Sequence, residues 1–191
     1  MVKGRLEAFS DGVLAIIITI MVLELKTPHE AGLAALRSLI PVFFSYVLSF
    51  IYVGIYWNNH HHLLQVTRRV NGSVLLANLH LLFWLSLVPF VTGWMGEYPF
   101  ALWPVVFYGA VLLLAAIAYF ILTRALIACE GRDSALAIAV GKDWKGKISL
   151  VIYAIAVPLA FLNTWVAFLL YVLVAVMWMI PDRRIERTLM S

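Results

Sequence analysis

The run Arg5-Leu6-Glu7-Ala8-Phe9-Ser10-Asp11 leads without interruption into Gly12-Val13-Leu14-Ala15-Ile16-Ile17-Ile18-Thr19-Ile20-Met21-Val22-Leu23. The Asp11 carboxylate therefore sits inside a segment apolar enough to cross a bilayer. Charge at that depth is costly and marks a functional position whose partner must be found. Two other stretches offer partners, Tyr56-Trp57-Asn58-Asn59-His60-His61-His62 and Asn78-Leu79-His80. Carboxylate, amide and imidazole groups together can clamp a helix, relay protons or ligate a metal. Consecutive histidines diverge on a helix and no His-Glu-x-x-His spacing occurs, so zinc ligation is disfavoured. Haem ligation lacks a second matched pair. A catalytic triad from Ser10, Asp11 and a histidine fails because adjacent helical residues point about 100° apart. The expectation is no catalytic residue, no metal, no cofactor, and a protein that is not an enzyme.

These groups need a scaffold, and composition names its class. Of the 191 residues 64% are hydrophobic and 13% charged, and the mean hydropathy is +0.96. A soluble domain would be nearer about half apolar. The chain reads as an all-α integral membrane protein, since about 20 residues at 1.5 Å each cross a hydrocarbon core of roughly 30 Å. Apolar runs separated by polar breaks predict six transmembrane helices, near 5–26, 35–62, 73–95, 100–127, 147–162 and 164–181. Glu7 and Asp11 interrupt any secretory h-region, so the first helix is expected to stay. Single Cys129 excludes an intramolecular disulfide. The 191 residues read as a single six-helix unit.

Charge gives the orientation. Of the 14 Lys and Arg residues, all but Lys26 and Arg37 fall on the side of the termini, which places both termini in the cytoplasm. The net charge of +4 then reflects topology and anionic headgroups, and nucleic acid is not an expected partner. Asp11 lies roughly 9 Å inward from the cytoplasmic edge, the layer that also holds the histidine and asparagine clusters. Ser10 and Asp11 are expected to meet some of Asn58, Asn59, His60, His61, His62, Asn78 and His80 in the bundle interior. On the same helix, Ile16, Ile20 and Leu23 form a narrow stripe flanked by Gly12 and Thr19, with Asp11 pointing away from it. Periodicity alone leaves open whether this stripe faces lipid, another helix or a pore.

The spacing Arg-x-x-x-Phe-Ser-Asp at Arg5, Phe9, Ser10 and Asp11, opening the first of six helices, resembles the signature of the transmembrane protein 175 potassium channel family. Trp57-Asn58-Asn59-His60 closing the second helix and His80 on the third follow in the same order. The resemblance implies a cation channel with the first helix of each unit lining a central pore. It further implies that chains with one such unit, like this one, assemble as homotetramers. In that family the apolar residue five positions after the motif Asp forms a constriction, here Ile16. Further apolar layers fall at Ile20 and Leu23, and Thr19 matches a hydroxyl layer implicated in cation selectivity. The permeant ion implied is potassium, with other monovalent cations possible, in the bilayer of a bacterial plasma membrane.

No Thr-Val-Gly-Tyr-Gly segment is present to replace the hydration shell with carbonyls, so selectivity would come from side chains. A voltage sensor is not expected, because no span carries arginine at every third position. Glu24 would concentrate cations at the outer mouth, partly offset by Lys26. The competing reading is a proton-coupled secondary transporter, with Asp11, His60 to His62 and His80 as a titrating relay. No internal repeat or paired Gly/Pro-broken helices support it.

Overall fold

A computed structural model describes residues 3–28, 32–131, 133–141 and 143–180. Those residues are helical with short connections and contain no strand. In chain order the helices are α1 (Lys3–Leu23), α2 (Ile40–Val66), α3 (Gly72–Ser86), α4 (Val88–Glu97), α5 (Leu102–Glu130), α6 (Ala135–Val140), α7 (Trp144–Leu159) and α8 (Thr164–Met179). A 3₁₀ helix over Leu33–Leu39 leads into α2.

Local chemistry sets most of the boundaries. Pro41 occupies the first turn of α2 and Pro89 that of α4, where a missing N–H costs nothing. The third predicted span therefore divides at Leu87 into α3 and α4. The two remain one apolar rod, Gly72–Glu97, because Val91 N–H still donates to the Leu87 carbonyl. Asn71, Ser134, Asp143 and Asn163 cap the helices that follow them with their side chains; such a cap is worth about 1 kcal/mol. The second span starts where expected, as the apolar segment Ala35–Val66, with residues 33–39 in the tighter 3₁₀ helix and α2 proper from Ile40. The connection after α5 holds the short helix α6, whose Leu136 and Ala139 are buried. Arg132, Lys142, Arg183, Arg184 and Arg187, five of the basic residues on the side of the termini, lie outside the described residues.

Among the described residues four segments are long and apolar enough to cross a membrane: Lys3–Leu23, Ala35–Val66, Gly72–Glu97 and Leu102–Glu130. Helices α7 and α8 have 16 residues each, about 24 Å; α7 lies three residues earlier than the predicted span 147–162 at the same length, and α8 ends short of the predicted 164–181. α7 ends one residue after Pro158.

α3 packs on α5, α2 on α4, and α5 and α8 on α7, while α1 lies against α2, α3 and α4. Small residues bring backbones together: a Cβ on Gly96 would meet the Val42 backbone, and one on Gly109 would collide with the Tyr171 hydroxyl. Tyr108 OH and Ser49 Oγ are 3.0 Å apart. Thr92 Oγ1 lies 2.6 Å from both Ser49 Oγ and the Val88 carbonyl, and Tyr52 OH donates to the Tyr171 carbonyl at 2.5 Å. These hydroxyls sit in the core with internal partners, as a water-free interior demands.

One end of the bundle collects charge. Lys3 Nζ donates to the Gln65 carbonyl at 3.4 Å and pairs with Glu7 at 3.5 Å. Glu130 Oε1 accepts the Arg68 and Arg69 backbone N–H groups at 2.7 and 2.5 Å, tying the α2–α3 loop to the end of α5. Lys145 Nζ donates to the Ile180 carbonyl at 2.7 Å. Residues 3 and 180 thus lie at the same, basic end.

Candidate functional site

α1 has two unlike sides. Leu6, Ser10, Leu14, Ile17 and Met21 are buried against α2, α3 and α4. Gly12, Ala15, Ile16, Thr19, Ile20 and Leu23 are uncovered, with Ile16 57%, Ile20 42% and Leu23 77% exposed. At about 100° per residue the buried positions occupy a band roughly 80° wide, and the Ile16, Ile20 and Leu23 stripe is centred about 110° round the helix from its middle. The Thr19 hydroxyl donates to the Ile16 carbonyl at 2.8 Å, which leaves the oxygen's lone pairs unused.

Ser10 is anchored in the bundle. Its hydroxyl donates to the Leu6 carbonyl at 2.8 Å and accepts from Asn78 Nδ2 at 2.9 Å, while Asn78 Oδ1 lies 2.8 Å from His60 Nε2. Ser10 and Asn78 are fully buried and His60 is 2% exposed. The chain of contacts joins α1, α3 and α2. With Asn78 Oδ1 as acceptor, His60 carries its proton on Nε2.

Asp11 departs from expectation. Its carboxylate is exposed, and it accepts from Trp57 Nε1 at 3.1 Å instead of entering the bundle interior with Ser10. The reason is azimuth: Asp11 is about 100° beyond Ser10, off the buried band, where only the long indole of α2 reaches it. Trp57 in turn stacks on His61, with ring centroids 5.9 Å apart. Trp57 was legible as part of the motif but not as the carboxylate's partner, although indole is a donor without an acceptor and suits an anion at interfacial depth.

The other polar residues divide. Asn59 Nδ2 donates to the Ile55 carbonyl at 2.8 Å on its own helix, and Trp84 Nε1 donates to His80 Nε2 at 2.9 Å one turn away. Asn58, His61 and His80 are exposed. His62 Nδ1 is the one buried side-chain polar atom without a partner among the described residues. Arg5 and Phe9 are exposed at the basic end of α1, with Phe9 53% exposed. Glu24 turns toward α4, where a Cβ on Gly93 would come 2.9 Å from its Oε2. A groove of about 410 Å³ runs beside the stripe, between Ile16, Ile20 and Glu24 of the α1 segment and Ser86, Pro89 and Phe90 at the α3–α4 break.

Comparison with known proteins places this geometry. The family described as endosomal/lysosomal potassium channel TMEM175 matches residues 5–89, which span α1, the polar layer and the α3–α4 break. A potassium channel of a Chryseobacterium species is 56% identical over 99% of this chain and 98% of its own length. The chain belongs to the TMEM175 family. The crystal structure of a lysosomal potassium-selective channel TMEM175 homologue from Chamaesiphon minutus superposes with a TM-score of 0.81. It covers 92% of this chain and 95% of the other at 30% identity. The chicken endosomal/lysosomal proton channel TMEM175 is 38% identical over 42% of this chain and 19% of its own length.

Within the TMEM175 family signature of this chain, the two polar residues therefore act separately. Ser10 holds α1 to the bundle through Asn78 and His60. Asp11 holds it to α2 from the outside through Trp57. Both contacts fall in the first half of α1 and leave the Ile16 to Leu23 face clear.

Proposed function

We propose that this TMEM175 family member is a potassium-preferring cation channel that conducts passively through a pore lined by α1. The observation that carries the reading is the uncovered face of α1, which presents Ile16, Thr19, Ile20 and Leu23 outward while a separate face is buried and clamped. Four copies would bring four such faces around one axis. Each chain is one unit that crosses a bacterial plasma membrane six times, with α7 and α8 supplying the short fifth and sixth crossings and both termini in the cytoplasm.

A ring of Ile16 side chains offers no oxygen to an ion, so passage depends on ring width, wetting and partial dehydration. Potassium gives up water more easily than sodium because its charge is spread over a larger ion, and an apolar constriction amplifies that difference. One turn outward, the Thr19 oxygens are free to accept a cation because their protons are engaged by the Ile16 carbonyl. Ile20 and Leu23 extend the apolar layers. Selectivity of this kind is modest, and the absence of serial arginines makes voltage dependence weak.

The transporter reading needs Asp11 and the histidines in one relay. Asp11 instead bonds to Trp57, and His60 bonds to Asn78, which favours a static clamp. Purified protein in planar bilayers, recorded under a potassium gradient and then with sodium replacing potassium on one side, tests the choice. The channel gives single-channel steps and a potassium-weighted reversal potential. Slow saturable flux coupled to a proton gradient would replace it with the carrier.

A further inference from the structure

At the end of the bundle opposite the basic end, α2, α4, α5 and α8 leave an apolar groove of about 430 Å³. Ile40 and Phe44 stand at its mouth, 49% and 62% exposed, and buried Leu48 forms part of its floor. Phe100 and Phe168 line it as well, and Phe100 stacks on Trp165 with ring centroids 3.4 Å apart. The cleft is almost wholly apolar and has too few polar partners to hold ordered water. Exposed Arg37 lies one 3₁₀ turn before the mouth, its carbonyl accepting the Ile40 N–H.

We propose that this groove binds one phospholipid, with an acyl chain between α2 and α8 and the phosphate on Arg37. α2 and α5 lie in segments long and apolar enough to span a membrane, so the groove lies at the depth of the bilayer. Lipid tails are as apolar as the groove, and burial alone therefore gives no preference over bulk bilayer. Retention comes from packing in a cleft that no side chain fills and from the charge-assisted bond between guanidinium and phosphate. Lys26 is the other basic residue at this end among the described residues. Arg37 is the one adjoining the mouth. None of its lining residues belongs to α1.

The test uses the full chain reconstituted with palmitoyl-oleoyl phosphatidylglycerol, stripped in detergent and weighed by native mass spectrometry. Wild type retains one such lipid per chain. Val172→Trp, which fills the cleft, abolishes retention, and Arg37→Gln lowers it about fivefold, the worth of one basic contact to an anionic headgroup. Arg37→Gln also has no effect on retention of a diacylglycerol, which lacks the phosphate. Arg37 is on the surface, so that arm reads even if Val172→Trp fails to fold. The proposal is overturned if wild type retains no lipid, or if both variants retain as much as wild type. It is equally overturned if Val172→Trp breaks an oligomer without releasing lipid, which would make a second copy of the chain the occupant.

Discussion

The two sides of α1 carry residues of similar hydrophobicity under opposite constraints. Leu14, Ile17 and Met21 are 3% exposed or less, whereas Ile16, Ile20 and Leu23, interleaved with them, are at least 42% exposed. Hydropathy does not distinguish the two sets; position around the helix does. The polar contacts follow the same division, with Ser10 on the buried side bonded on two sides and Asp11 on the flank held by one indole. A membrane helix can therefore be fixed firmly along one side while presenting a continuous uncovered surface along the other.

Substitutions in matched pairs on the two faces of α1 should therefore have unequal effects. The largest stability effect is expected for Ile17→Ala, which opens a cavity on the buried side and costs about 2–4 kcal/mol. Ile16→Ala, one residue away, should change the stability of the isolated chain by about 0.5 kcal/mol or less. Thermal or denaturant unfolding of the two variants in the same detergent reads the difference. Next comes Asn78→Ala, which strips Ser10 and His60 of their shared partner at a cost of about 1–3 kcal/mol. His60→Ala made in that background should then add less than it does alone, because the contact is already gone. A smaller loss, about 1 kcal/mol, is expected for Trp57→Phe, which keeps the ring against His61 but removes the donor to Asp11. The smallest stability change belongs to Thr19→Ala. There the account predicts intact assembly with a shift in the potassium-to-sodium permeability ratio, measured from reversal potentials.

Much of this arrangement is legible in the residues. Long apolar runs give the four long segments because length and hydropathy alone decide whether a helix can span. Shared depth puts Ser10 in one layer with the asparagines and histidines of α2 and α3 but does not choose among them; in the structure Asn78 and His60 are the ones that join it, as a buried hydroxyl, amide and imidazole satisfying one another. Azimuth is harder to read. Asp11 is adjacent to Ser10 in the chain, yet 100° of helix rotation puts it outside the bundle, and only the packed position of α2 shows that Trp57 reaches it. The histidines divide for the same reason: His60 is inside, His61 outside, and His80 engaged by Trp84 on its own helix. Pro89 marks the α3–α4 break, but whether the rod stops or continues depends on the Val91 to Leu87 hydrogen bond. The hydroxyl network of Ser49, Thr92 and Tyr108 had no sequence signal beyond isolated polar residues in apolar spans, because its members come from three helices.

Cysteine accessibility along α1 distinguishes a pore-lining face from a buried one. In a Cys129→Ser background, Ile16→Cys, Ile17→Cys, Ile20→Cys and Met21→Cys are reconstituted and exposed to a small cationic thiosulfonate during recording. The account predicts rapid block of current at positions 16 and 20 and none at 17 and 21. Equal block at all four, or block confined to 17 and 21, would contradict a conduction path along the uncovered face of α1.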